Sequence, residues 1–255
     1  MKNTLKKALK FILCILPFSI VAGISVGFYE LSTGLADAIQ VEMTPTYFVI
    51  MVTIQTLIYA LIFGFIGYLI ADKTGLVRKF NFSKKSVKVA IIWGSACGVL
   101  FFVLDYFIFA KMLPQVALYY NTYPFSPEYL ISEITYGGVV EEILLRWFLM
   151  SLFALIVWKI FARKYAKAEI PEWVFVVANV MAALLFALGH LPATLILFGE
   201  LSFLIVFRCM LLNGVFGLVF GWLYRKLGIQ YAMIAHAMTH VCCDALLFIY
   251  IYILS

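Results

Sequence analysis

Apolar residues fall into seven long blocks, at 9–29, 47–70, 87–110, 129–160, 172–190, 202–225 and 228–252, separated by short polar stretches. A helix crossing a bilayer needs ~20 mostly apolar residues, and each block meets or approaches that length. Lipid offers backbone groups no partners, and the alternation expected of a small barrel is absent, so each block is expected to be a helix. The pattern predicts an all-α fold: a polytopic transmembrane helix bundle of seven spans, with its polar cavity within the membrane. No internal repeat, low-complexity segment or Ser/Gly-rich linker divides the chain. The first block follows Lys2, Lys6, Lys7 and Lys10, much as in a signal peptide. It runs uncharged from Phe11 to Tyr29, too long for a cleavable segment and with no clear small-residue cleavage site, so it reads as a retained span.

Composition narrows the class. Of 255 residues 65% are hydrophobic and 13% charged, against roughly 45–50% apolar and about a quarter charged in a soluble domain. A soluble enzyme, a disordered chain and a disulfide-stapled module are all excluded. The net charge of +6 does not point to nucleic acid, because the basic residues sit in short blocks between spans. Alternate connections hold all but Lys111, Arg146 and Arg208 of the 19 Lys and Arg, while Glu30, Asp37, Glu42, Glu128 and Glu200 mark the opposite loops. This asymmetry predicts a cytoplasmic N-terminus and an outside C-terminus. Trp158, Trp173 and Trp222 flank the basic blocks as interfacial aromatics do. Cys14, Cys97, Cys209, Cys242 and Cys243 lie in apolar runs with no CxxC pair, so they read as small hydrophobes.

With the topology charges set aside, the spans still hold Asp105, Glu133, Glu141, Glu142, Arg146, His190, Arg208, His236, His240 and Asp244, including all three histidines of the chain. Ionisable groups at membrane depth are costly, and each raises a functional hypothesis. In Glu141-Glu142-Ile143-Leu144-Leu145-Arg146, Glu142 and Arg146 stand four apart on one helical face and suit an ion pair. Glu141 is rotated about 100° away, available as a base. His190 closes the fifth span after Phe186-Ala187-Leu188-Gly189, just before Pro192, which is expected to stop the helix. His236, His240 and Asp244 repeat every four residues and form one polar stripe. A carboxylate, imidazoles and a buried ion pair sharing one cavity would provide a general base and oxyanion donors for cutting an amide bond. An interhelical polar clamp uses the same residue types. No HExxH or GxSG is present to indicate a zinc helix or a serine nucleophile.

Three ordered motifs resemble those of the CPBP intramembrane protease family, which includes type II CAAX prenyl endopeptidases and bacterial bacteriocin-processing or self-immunity proteins. They are EExxxR (Glu141, Glu142, Arg146), FxxxH (Phe186, His190) and HxxxN/D (His236, with His240 where Asn or Asp is usual). The likeness covers roughly residues 127–250. It implies a division into 1–126, three N-terminal spans with no family signature, and 127–255, a four-span protease core.

The resemblance further implies an intramembrane endopeptidase in which Glu141 and His190 activate water while His236 and His240 polarise the scissile carbonyl. Glu142, Arg146, Phe186 and Asp244 would support them. A neutral histidine donates a hydrogen bond as Asn does, so His240 can keep that duty. Metal-free chemistry is expected. A divalent metal such as zinc, held by Glu141, His190, His236 and His240, is the alternative, since imidazole is a common ligand. The expected partners are the lipid bilayer and a peptide or protein substrate delivered at the membrane, and the expected setting is a bacterial cell membrane. A catalytically idle immunity or regulatory protein, binding through the same cavity, and a proton-coupled transporter are the competing readings. Substrate, prenylation and oligomeric state leave no mark in the sequence.

The sequence also contains a conflict of depth. On straight helices Glu141 and His190 each lie ~27 Å from the basic end of their spans, but His236 lies only ~12 Å from its own. A gap of roughly 10 Å has to be closed by tilt or by a bend near Gly137-Gly138.

Overall fold

The computed structural model describes residues 2–36, 43–122 and 125–254, so Asp37 and Glu42 lie outside the described residues. Among those described there are no strands, and seven helices are long and apolar enough to cross a membrane. The spans are α1 (Lys2–Ser32), α2 (Pro45–Thr74), α3 (Lys84–Met112), α5 (Pro127–Phe161), α6 (Glu172–Gly189), α8 (Phe203–Lys226) and α9 (Ile229–Leu254). Two short helices complete the set, α4 (Pro114–Asn121) and α7 (Leu191–Phe198). The chain is an integral, multi-pass membrane protein.

Local chemistry sets the helix ends. The Thr44, Ser83 and Ser126 hydroxyls accept from the backbone N–H three residues on, capping α2, α3 and α5. Pro45 and Pro127 occupy first-turn positions, where a missing N–H costs nothing. Gly75 ends α2 in the left-handed region at φ 76°, where a side chain would be strained. The fifth span ends just before Pro192, as the sequence suggested. The helix breaks at His190 and resumes as α7 with Pro192 in its first turn, a position proline tolerates.

The outer surface is apolar: Leu13, Ile54, Val99 and Leu184 point outward. Lipid adds no hydrophobic drive between helices, so close packing and internal hydrogen bonds hold the bundle together. Glycines permit the close approaches. Gly98 of α3 lies against the Thr239 and Cys243 backbone of α9, Gly67 of α2 against Trp147 of α5, and Gly217 of α8 against Ala183 of α6. Trp147 Nε1 donates to Gly64 O at 3.1 Å, tying α5 to α2. Away from the centre, Asp105 of α3 takes the guanidinium of Arg208 of α8 and the Tyr120 hydroxyl of α4. Arg208 is therefore paired with Asp105, a clamp between helices.

α5 occupies the centre, packing against α1, α2, α6, α8 and α9. It is also the least regular span: residues Glu133–Glu141 and Ile143–Met150 form wide π-type turns. Wide turns bond i to i+5, so they advance less per residue than an α-helix. The connections rich in Lys and Arg meet at one end of the bundle. There Lys167 approaches Asp72, the Arg78 guanidinium donates to Arg225 O, and Arg225 and Lys226 pair with Glu172.

Candidate active site

α5 and α9 run antiparallel and face each other with matching stripes. On α5 they are Glu133, Gly137 and Glu141, spaced by four; on α9 they are His236, His240 and Asp244, also spaced by four. Glu141 Oε2 stands 3.9 Å from His236 Nε2, and Glu133 Oε1 stands 3.0 Å from His240 Nδ1. Gly137 lies between the two carboxylates. A Cβ there would sit 3.0 Å from His240 Nε2 and 3.7 Å from His236 Nε2, so the absence of a side chain lets the imidazoles approach α5. The two rings stack with centroids 5.1 Å apart.

Glu142 lies beneath this pair, fully buried. Its Oε1 receives the Arg146 guanidinium and the His236 Nδ1–H, each at 2.9 Å. The i,i+4 ion pair read from the sequence is formed, and the same oxygen also orients a histidine. Arg146, itself 1% exposed, donates to Gly217 O at 3.2 Å and lies over the rings of Phe186 and Phe220. Phe220 stacks on the other face of His236 at 4.5 Å. Cation–π contacts and a charge-assisted pair offset the cost of holding a guanidinium away from water.

His190 reaches the group indirectly. Its Nδ1 lies 2.8 Å from Phe186 O, so that nitrogen donates and Nε2 is left as the acceptor. The ring leans back along α6, as helical side chains do, and meets the Phe186 ring at 4.6 Å; Phe186 in turn meets His236 at 5.8 Å. Glu141 and His190 are only partly buried, whereas Glu142, Arg146 and His236 are buried.

The depth conflict closes for Glu141 and His236. Glu141 and His236 meet at 3.9 Å, and the wide turns over Ile143–Met150 supply part of the shortening between Glu141 and the basic end. Gly137 and Gly138 let α9 pack closely against α5.

The structure thus brings together Glu141, Glu142, Arg146, Phe186, His236, His240 and Asp244, with His190 beside Phe186. Sequence reasoning gave no role here to Glu133 or Phe220. Glu133 was open to discovery, since its four-residue spacing through Gly137 to Glu141 mirrors the histidine stripe. Tyr129 and Asp244 also reach the Glu133 carboxylate. Among the described residues no three His, Cys, Asp or Glu side chains are grouped so as to hold a metal ion, and Glu141, His190, His236 and His240 form no such set.

Seven apolar helices around a carboxylate–imidazole cluster define a polytopic membrane protein with an ionisable centre inside the bundle. Residues 126–242 match the family model described as type II CAAX prenyl endopeptidase Rce1-like, and that segment holds every residue of the cluster except Asp244. This part of the chain is similar to that family, as the three motifs indicated. The family is usually one of proteases, which supports a membrane-embedded hydrolase. No curated protein and no solved structure matches the chain.

Proposed function

We propose that this protein is an intramembrane endopeptidase that hydrolyses a peptide bond in a membrane-associated peptide or protein with a water activated by carboxylate and imidazole. The observation that carries the reading is the pairing of Glu141 with His236, 3.9 Å apart, beside the buried Glu142–Arg146 ion pair. With Nδ1–H donated to the Glu142 carboxylate, a neutral His236 presents an acceptor at Nε2, facing a second acceptor on Glu141. A water donating one hydrogen to each fits that separation.

Glu141 takes a proton from this water as its oxygen attacks the scissile carbonyl carbon. The developing oxyanion receives a hydrogen bond from His240. Because Nδ1 of that ring already serves Glu133, His240 donates through Nε2 as an imidazolium whose charge Glu133 balances. The proton held by Glu141 then passes to the leaving nitrogen as the C–N bond breaks. His190 Nε2, the acceptor end of its ring, supports water activation alongside Glu141. Glu142 and Arg146 position His236 and are not in contact with the reacting atoms.

The test is cleavage of a peptide library by the purified protein in liposomes, with wild type, Glu141→Gln and His190→Ala side by side. Both variants are expected to lose cleavage while melting like wild type. Full biological activity in Glu141→Ala would overturn the protease reading in favour of an idle binding partner. Cleavage is expected to survive a chelator, and loss of activity restored by added zinc would overturn the metal-free reading.

A further inference from the structure

At the basic end a cavity of about 540 Å³ lies between α1, the end of α2 with the segment after it, α5 and the start of α9. Its rim and its floor differ sharply. Lys7, Lys10, Arg78 and Lys79 stand at the rim. Phe11, Tyr68 and Trp147 form the floor, with Phe11 stacked on Trp147 at 4.6 Å and Tyr68 edge-on to it at 5.6 Å. The Trp147 N–H is committed to Gly64 O, so the indole shows the cavity only carbon. Asp72 is the one acidic residue of the lining, and Thr4 and Lys167 already engage it. Among the described residues Lys7, Lys10 and Lys79 have no carboxylate within ion-pair distance.

We propose that this cavity binds an anionic phospholipid, with the headgroup phosphodiester against the four cations and the first part of an acyl chain over the aromatic floor. A small soluble anion would leave the floor uncovered, and a lipid without net charge would leave the cations unbalanced. Basic pockets between spans at the cytoplasmic side suit anionic headgroups for this reason, each Lys or Arg there contributing about 1 kcal/mol. The position gives the lipid an effect as well as a place. Trp147 adjoins Arg146 on α5, and Ile229 and Gln230 of the lining begin α9, which carries His236 and His240. Occupancy therefore braces the two helices of the candidate active site against each other. The binding itself does not rest on the protease reading.

The experiment uses the full chain in a neutral detergent, titrated with phosphatidylglycerol or phosphatidylcholine and followed by native mass spectrometry and by melting temperature. The wild type is expected to retain one phosphatidylglycerol and to melt higher with it, and to do neither with phosphatidylcholine. Lys10→Gln/Arg78→Gln/Lys79→Gln is expected to bind phosphatidylglycerol about a hundredfold more weakly, from three such cations. Lys84→Gln/Lys85→Gln/Lys88→Gln, at the same end but outside the cavity, should bind as wild type does. Equal loss in both variants would reduce the effect to diffuse surface charge and overturn the site. Equal stabilisation by glycerophosphoglycerol, which lacks acyl chains, would make it a site for a soluble anion. Unchanged lipid binding with a raised KM for a cleaved peptide would assign the cavity to substrate instead.

Discussion

Glu141 and Glu142 are neighbours in sequence with opposite duties, and substitution separates them. Glu142 is fully buried against Arg146 and His236. Glu142→Gln leaves a guanidinium buried without its anion, a class of change that costs about 3–5 kcal/mol. A thermal melt is expected to drop clearly. Glu141→Gln removes only a partly exposed carboxylate, so the melt should be unchanged while cleavage falls by about 10²–10⁴, the range of a general base. A stable Glu142→Gln protein beside an unstable Glu141→Gln protein would reverse the two assignments. The Glu133–His240 contact makes a second claim at this scale. Glu133→Gln and His240→Asn each break one pair, and their double variant should show a coupling of about 0.5–3 kcal/mol in a melting cycle. Additive effects would mean that Glu133 does not hold His240. The Glu142–Arg146 pair was legible in sequence because i,i+4 neighbours meet on any helix. The Glu142–His236 bond was not, since it joins residues 94 positions apart and depends on how two helices are rotated.

The seven spans were legible for a simple reason: bilayer thickness fixes a minimum apolar length, and the observed helices fall on the seven expected blocks. What stayed hidden was the pitch of α5. A run such as Glu133–Met150 fits a 3.6-residue period as well as a wider one, so the wide turns leave no mark in the pattern. The wide turns between Glu141 and the basic end recover part of the roughly 10 Å by which ideal helices miss, and Glu141 meets His236 at 3.9 Å. The fit between α5 and α9 is expected to be intolerant of single methyl groups. In Gly137→Ala the new carbon lies 3.0 Å from His240 Nε2 and 3.4 Å from its Cδ2, so the ring must shift. Cleavage should fall at least tenfold with little change in melting. Gly98→Ala instead meets backbone of α9 at Thr239 and Cys243, which cannot turn aside. It should destabilise by about 1–3 kcal/mol, the usual cost of overpacking. Gly214→Ala, whose methyl meets only Ala187 at 3.9 Å, is the matched control and should melt no lower than wild type. If all three behave alike, the close approach of α5 to α9 has no special role.

On the scale of the whole molecule, the positive charges that alternate along the chain are gathered at one end of the bundle. Lys7, Lys10, Arg78 and Lys79 share one cavity there, Lys167 lies near Asp72, and Arg225 and Lys226 hold Glu172. The far end is poor in basic residues, and Glu200 there accepts from Gln115. Retention of Lys and Arg loops in the cytoplasm sets the orientation of a polytopic chain, so the basic end should face inward with the N-terminus. A membrane-impermeant maleimide applied to intact cells is expected to label Glu200→Cys, and to label Lys164→Cys only after the membrane is opened. The native cysteines do not confuse the readout, since all five lie within the spans. The reverse pattern would turn the bundle over and remove the charge argument for its orientation. The same measurement bears on the lipid cavity, because the cytoplasmic leaflet carries the anionic surface that draws basic segments to it. An inward basic end places four cations and an aromatic floor where anionic lipid is most concentrated; an outward one would set that cavity against the leaflet that supplies it least.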